Sequence, residues 1–437
     1  MTQTAEAPPP PSRPPAAPVM DPSEQRSALV RLLLIVVGAF VAATVAGVAK
    51  TVLVVLALIL MIMLHEAGHF VMAKVAGMKV TEFFLGFGPR LWSIRKGETE
   101  YGIKAIPAGG YVKIIGMSSF EEVAPEDEPR TYRQKGFWQR LGVAVAGSAV
   151  HFILAFLLLF SLFTFVGVPD DSHPQPVVNT ITALNNGQSS PAQQAGFKPG
   201  DRIVSVDGRP VNTWDDLPTY IRAHPGQPIH FEVVRNGQRL TLTATPVDLS
   251  QIKVDGKPVV DQPTGFIGIG PKIPVKRYDP LSGAGHAATG LGRLAVDTVS
   301  AIGHIFSPSG VSSYASELTG RSSPRNSSGG EVRFLSPVGF VQVAGQAAQS
   351  GIRDVLTLLV LINVFVGIFN MIPLPPFDGG HVAIAIYEAV RSRKGKRYYV
   401  DGRKVMAAAY PVILLLVFIA LTSLYLDIVR PLANPFR

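Results

Sequence analysis

The sequence predicts a polytopic α-helical membrane protein into which an extracytoplasmic α/β domain is inserted. Hydrophobic residues make up 47% of the 437-residue chain while Asp, Glu, Lys and Arg together reach 16%. Soluble chains carry about 25% charged residues, so the deficit locates long stretches without charge. Apolar runs of membrane length recur along the chain, and the 42 Gly and 36 Pro are too many for regular helices alone. The length leaves room for two or three domains. Cysteine is absent, which excludes disulfide frameworks, thiolate metal sites and a cysteine nucleophile. The net charge of +9 flanks apolar runs instead of forming one stripe with interleaved aromatics, so no nucleic-acid partner is read.

Residues 1–28, with PPPPSRPPAAP, read as a disordered, partly polyproline tail. From Leu29 to Ala73 the chain is apolar apart from Arg31, Lys50 and the cluster HEAGH. At about 1.5 Å per helical residue this run is roughly twice the ~30 Å hydrocarbon core, which excludes one straight span. Two spans meeting near Gly47–Thr51 fit, making 29–49 an extra apolar N-terminal span. The alternative, a cleaved signal ending in AGVA, has an apolar part longer than the usual ~7–15 residues. Further spans are expected within Leu141–Val168, Ile352–Ile372 and Val405–Leu424. Segment 391–404, RSRKGKRYYVDGRK, holds seven Lys/Arg in fourteen residues, which assigns it to the cytoplasm. Counting back, 169–351 lies outside and 74–140 inside.

The outside region contains SSPAQQAGFKPGDRIVSVDGRPV and then IHFEVVRNGQRLTLTATPV, where Asn236-Gly237 supplies a type I′ hairpin turn. Over residues 175–248 this resembles a PDZ domain, a fold that takes a peptide C-terminus by strand addition. Within 249–351, a weakly amphipathic helix is expected at 281–304 and a flexible linker at 307–330.

His65-Glu66-Ala67-Gly68-His69 fits H-E-x-x-H at the end of an apolar span. Helical positions i and i+4 share a face, so both imidazoles can reach one metal ion. Glu66, offset by about 100° around the helix, can act as general base on a water beside that metal. Ionisable groups at membrane depth are costly and usually functional. Zinc held by two histidines needs a third protein ligand, and Asp378 in NMIPLPPFDGGH is the choice. Its prolines break the span, and broken helices at membrane depth belong in protein-lined sites. His381 competes on chemistry, as does His151, for which a polar contact between helices is the simpler role.

At these residues the chain resembles the site-2 intramembrane metalloproteases, in the actinobacterial-type branch with a single PDZ domain. The resemblance covers about residues 50–430. The family's HExxH is HEAGH here, and its N-x-x-P-x-x-x-x-D-G is NMIPLPPFDG. FFLGFGPRLWS (83–93), AIPAGGYVKIIGM (105–117) and SPVGF (336–340) match as well. Where the family often has A-G-P-x-x-N, this chain has Ala146-Gly147-Ser148-Ala149-Val150-His151.

The resemblance implies a four-span protease core, formed by 50–168 and 352–430, beside the extra N-terminal span. It implies one Zn2+ per chain on His65, His69 and Asp378, with Glu66 catalytic and Asn370 on the substrate. A membrane-dipping hairpin would pair the substrate along Gly109, Gly110, Tyr111, Val112 and Lys113. The expected partner in the lipid bilayer is a membrane-anchored protein such as an anti-sigma factor, already cut once outside. The expected location is the cell membrane, with the active site toward the cytoplasm and the PDZ domain outside.

Overall fold

In the computed structural model the described residues are 21–117, 121–170, 172, 174–184, 188–254, 257–258, 260–319, 334–392 and 398–431. The first apolar run folds as two helices, α1 (Pro22–Val45) and α2 (Ala49–Val75). Gly47, at φ 72°, makes the turn between them, a left-handed conformation that costs glycine little. Helix α1 starts inside the stretch expected to be disordered, whose residues 1–20 lie outside the described residues. The reason is local: Pro22 pre-sets φ in the first turn and Glu24 complements the positive end of the helix.

Two long strands follow, β1 (Val80–Lys96) and β2 (Thr99–Ile114). They fold back on themselves, so that Glu82–Leu85 pair with Gly110–Lys113 on one side and with Glu100–Ile103 on the other. Residues 110–114 therefore form an outer edge of this sheet. Ala73, Met78, Val80, Ile114, Tyr132 and Val143 form the apolar core beneath it. Helix α3 (Phe137–Ser161) runs on into a π-helical turn, Leu162–Val166.

The chain divides into two compact units, one comprising 1–162 with 280–437 and the other Phe163–Asp279. In the second unit an antiparallel sheet has the order Ile269–Lys272, Gln175–Ile181, Arg202–Val206, Ile229–Arg235, Gln238–Ala244. Asn236 (φ 50°) and Gly237 (φ 82°) make the hairpin turn. Helices α4 (Pro191–Gln194) and α5 (Asp216–Ala223) belong to this unit. Val178, Ile203, Leu217, Ile229 and Phe231 fill its core. The unit is wider than 175–248: the strand Ile269–Lys272 pairs with Gln175–Ile181, and Val275–Lys276 pairs with Val168–Pro169. These short strands lie far apart in sequence and carry no alternating pattern of their own.

Returning to the first unit, α6 (Pro280–Ile305) matches the helix expected at 281–304. The expected linker at 307–330 is contradicted in its first part, where α7 (Pro308–Leu318) forms. Ser307 caps it by accepting from Gly310 N–H at 3.1 Å, and Tyr314 Oη meets Thr422 Oγ1 at 2.8 Å. These tertiary and capping bonds outweigh the weak local propensity of a Ser- and Gly-rich stretch. Residues 320–330 of that linker lie outside the described residues. Then come α8 (Pro337–Ser350), α9 (Ile352–Phe369), α10 (Asp378–Arg391) and α11 (Gly402–Val429). Among the described residues, five helices are long and apolar enough to cross a membrane: α1, α2, α3 with its π turn, α9 and α11. Residues 393–397 of the basic segment lie outside the described residues.

Candidate metal centre

Buried on one face of α2, His65 and His69 hold their Nε2 atoms 3.2 Å apart. The broken end of α9 returns Asp378 to them: its Oδ2 lies 3.4 Å from His65 Nε2 and 3.3 Å from His69 Nε2. Three nearly equal spacings describe one face of a tetrahedron. A tetrahedral zinc with bonds of about 2.0–2.1 Å has edges of about 3.3–3.4 Å, so these donors fit that ion. Asp378 Oδ2 is buried without an aligned hydrogen-bond partner, as expected of an atom whose partner is a cation. His69 Nδ1 donates to the Val143 carbonyl at 2.7 Å. A carbonyl only accepts, so the proton sits on Nδ1 and the Nε2 lone pair is left for the metal.

Local sequence explains why the three ligands meet. At Gly147 of α3, a Cβ would run into His65 Cε1 and His69 Nε2, and would stand 2.7 Å from His65 Nδ1. Gly68 of α2 similarly faces the Ala146 carbonyl, 2.8 Å from where its Cβ would be. Small residues let the two helices close on each other. Gly379 N–H donates to the Asn370 carbonyl at 2.8 Å, which ties the first turn of α10, where Asp378 stands, to the end of α9. His381 is not in this cluster; it lines a separate cavity, its ring 6.2 Å from that of Tyr132.

His151 is a cross-helix contact. Its Nδ1 donates to Asn363 Oδ1 at 2.8 Å, and Asn363 Nδ2 donates to the Leu359 carbonyl at 2.8 Å and contacts Met61 Sδ at 3.3 Å. This bond links α3 to α9 with the His151 ring 5.0 Å from that of His65.

Glu66 faces the hairpin. A Cβ at Gly110 would meet Met63 Sδ at 2.8 Å and Glu66 Cγ at 3.2 Å. The outer edge of β2 thus runs past Glu66. Gly109 packs under Phe87, which a Cβ there would approach to 3.1 Å. The Tyr111 side chain turns into the hairpin: its hydroxyl donates to Glu82 and accepts from Lys104 at 2.7 Å, between the rings of Phe84 and Phe87. Lys113 Nζ stands 3.9 Å from both Glu82 and Glu121. Reasoning from sequence missed Gly147 and the Val143 carbonyl as parts of the site. The run Ala146–Ala149 of small residues in an apolar span was the available signal for Gly147.

Comparison with known proteins agrees with this geometry. Peptidase family M50 matches residues 53–419. The zinc metalloprotease Rip1 of Mycolicibacterium smegmatis is 32% identical over 406 residues, covering 87% of this chain and 98% of that protein. Rip1 of Mycobacterium tuberculosis is 31% identical over 407 residues, covering 87% and 97%. A putative zinc metalloprotease of Rhizobium meliloti is 31% identical over 352 residues, covering 77% and 86%. With three side chains placed to hold a metal ion and this similarity along most of its length, the chain belongs to peptidase family M50, the multi-pass membrane zinc metalloproteases of the site-2 type.

Proposed function

We propose that this protease cuts, within the bilayer, the transmembrane segment of a single-span regulatory protein such as an anti-sigma factor, after a first cut outside. The observation that carries this reading is the joint placement of the His65–His69–Asp378 face, Glu66 and the free edge of β2. His65, His69 and Asp378 would hold one Zn2+, which when bound polarises a peptide carbonyl and acidifies a water. Glu66 takes the proton of the attacking water on its carboxylate and returns it to the leaving amide nitrogen. A helical substrate hides its carbonyls in its own hydrogen bonds. Pairing an unwound stretch along 110–113 replaces those bonds and brings a carbonyl beside Glu66. Asn370, at the end of α9, is assigned to the substrate backbone.

In this reading the active site opens toward the cytoplasm and the 163–279 unit lies outside as a PDZ domain. The supports are the seven Lys/Arg of segment 391–404 and the hairpin-rich antiparallel sheet. The test is paired. Purified protein should carry about one zinc and Asp378→Ala should lose most of it, because two imidazoles leave the site incomplete. Glu66→Gln should keep the zinc and lose cleavage of a single-span substrate. Full zinc in Asp378→Ala together with loss in His381→Ala would move the third ligand, and turnover in Glu66→Gln would remove the base.

A further inference from the structure

The two metal-facing imidazoles of α2 are supported unequally. Both turn Nε2 toward Asp378, so each holds Nδ1 on its other side. His69 Nδ1 donates to the Val143 carbonyl of α3 at 2.7 Å. One helical turn back, His65 Nδ1 faces Gly147 of the same helix, 2.7 Å from where a Cβ would stand. It is buried, yet no carbonyl or side chain among the described residues accepts from it. A histidine that binds a metal through Nε2 carries its proton on Nδ1, and almost always donates it.

Position 151 lies one turn beyond 147 on the same face of α3. The His151 ring is centred 5.0 Å from that of His65. Two imidazoles joined edge to edge by an N–H···N bond have centres about 5 Å apart. The tautomer of His151 is set from its far side. Asn363 Nδ2 donates to the Leu359 carbonyl at 2.8 Å, so Asn363 turns Oδ1 to His151 and accepts from its Nδ1, also at 2.8 Å. In a neutral imidazole one nitrogen donates and the other accepts. With the proton on Nδ1, His151 Nε2 keeps its lone pair. The contact between α3 and α9 uses only Nδ1, and an asparagine at 151 would make it equally well.

Resting on the reading of His65 as a zinc ligand, we propose that His151 is a positioning residue of the metal centre, its Nε2 accepting from His65 Nδ1–H. A turn of the His65 ring about its broad χ2 torsion aligns the two nitrogens. Donors and acceptors then alternate without a gap from His65 through His151 and Asn363 to the Leu359 carbonyl. The relay fixes the plane of the His65 ring against α3 and α9, and keeps its Nε2 lone pair free for the metal.

The experiment measures zinc affinity of the full chain in detergent by competition with a chelator, with thermal unfolding followed beside it. Gln and Asn divide the imidazole between them: at 151 the amide of Gln reaches where Nε2 stands, and that of Asn where Nδ1 stands. His151→Leu and His151→Asn should weaken zinc binding by about 10–100-fold, and His151→Gln should stay within about threefold of wild type. A residue that only joined α3 to α9 gives the opposite order, because Asn keeps the bond to Asn363 and Gln does not. Wild-type affinity in the Asn or Leu variant, or a loss in the Gln variant as large as in Leu, overturns the proposal. A second measurement needs no variant. Zinc-loaded wild type with isotope-labelled histidine should show a magnetic coupling across an N–H···N bond between two imidazoles, and its absence overturns the proposal too. Failure of these arms with zinc bound normally leaves the ligand set and the endopeptidase reading standing. A wild-type chain that binds no zinc overturns the ligand set, and the positioning role with it.

Discussion

Gly147 shows how a residue without chemistry can decide whether chemistry is possible. Its absent side chain is the space into which the His65 and His69 rings fit. Gly147→Val should lower zinc content sharply and destabilise the protein by about 1–3 kcal/mol, because neither ring can yield without leaving the metal face. Metal analysis beside thermal unfolding in detergent tests this; a valine variant with full zinc and unchanged unfolding would refute the packing argument. The three candidate ligands were readable from HEAGH and NMIPLPPFDG because i, i+4 spacing and a broken span are local patterns. In the sequence Gly147 stands out only within Ala146-Gly147-Ser148-Ala149-Val150-His151. Its role is set by a helix whose approach no local pattern specifies.

Helices α8 and α11 illustrate the same division between elements. Ser336 caps α8 by accepting from the Val338 and Gly339 amides. Its own N–H donates to the buried Asp427 of α11 at 2.7 Å. A carboxylate 4% exposed near the end of an apolar helix is thereby matched to the N-terminus of another, where backbone donors and the helix dipole favour negative charge. Asp427→Ala leaves a buried N–H unpaired and should cost about 1–3 kcal/mol of stability. The zinc stoichiometry of the folded fraction should stay unchanged, since Asp427 is not among the metal-binding side chains. Loss of zinc at full stability would show that Asp427 acts on the metal site and not on helix docking. The capping serine and Pro337 were visible in SPVGF. The acceptor lies 91 residues away.

For the molecule as a whole, the insertion of 163–279 makes two predictions. Its entry and exit strands pair, Val168–Pro169 with Val275–Lys276, and Tyr278 N–H donates to the Phe163 carbonyl at 3.0 Å. The chain thus leaves the unit where it entered. Replacing 163–279 by a short Gly/Ser linker should keep the zinc site and extend cleavage to substrates that retain a bulky outer domain. Should the variant bind zinc yet cut only trimmed substrates more slowly, the unit captures an exposed C-terminus instead of filtering by size; loss of all cleavage with zinc bound would count against both roles. The second prediction concerns acid. Burial opposes ionisation of Asp201, but Arg235 Nε at 2.7 Å and the Lys198 amide at 2.8 Å overcome it and hold its carboxyl below the ordinary range. A depressed pKa gives stability that is present above the unfolded value near 4 and is lost as pH falls through the lower folded value. Arg235→Met should destabilise this unit by about 2–4 kcal/mol at neutral pH and raise the pH at which it unfolds. An acid midpoint that does not move would dismiss the pair as a source of stability.

Membrane helices, the H-E-x-x-H face, the break before Asp378 and the hairpin at Asn236–Gly237 were legible in the sequence. Each rests on a pattern confined to one segment: hydropathy over a span length, helical periodicity, or the left-handed turn that Asn-Gly adopts. Tertiary structure alone turned Tyr111 into the hairpin and placed His381 beside Tyr132 in a separate cavity. It also joined His151 to Asn363 and extended the inserted unit to Asp279. These outcomes depend on which surfaces meet across tens to hundreds of residues, and the free energy that decides them comes from packing and from hydrogen bonds closed between elements.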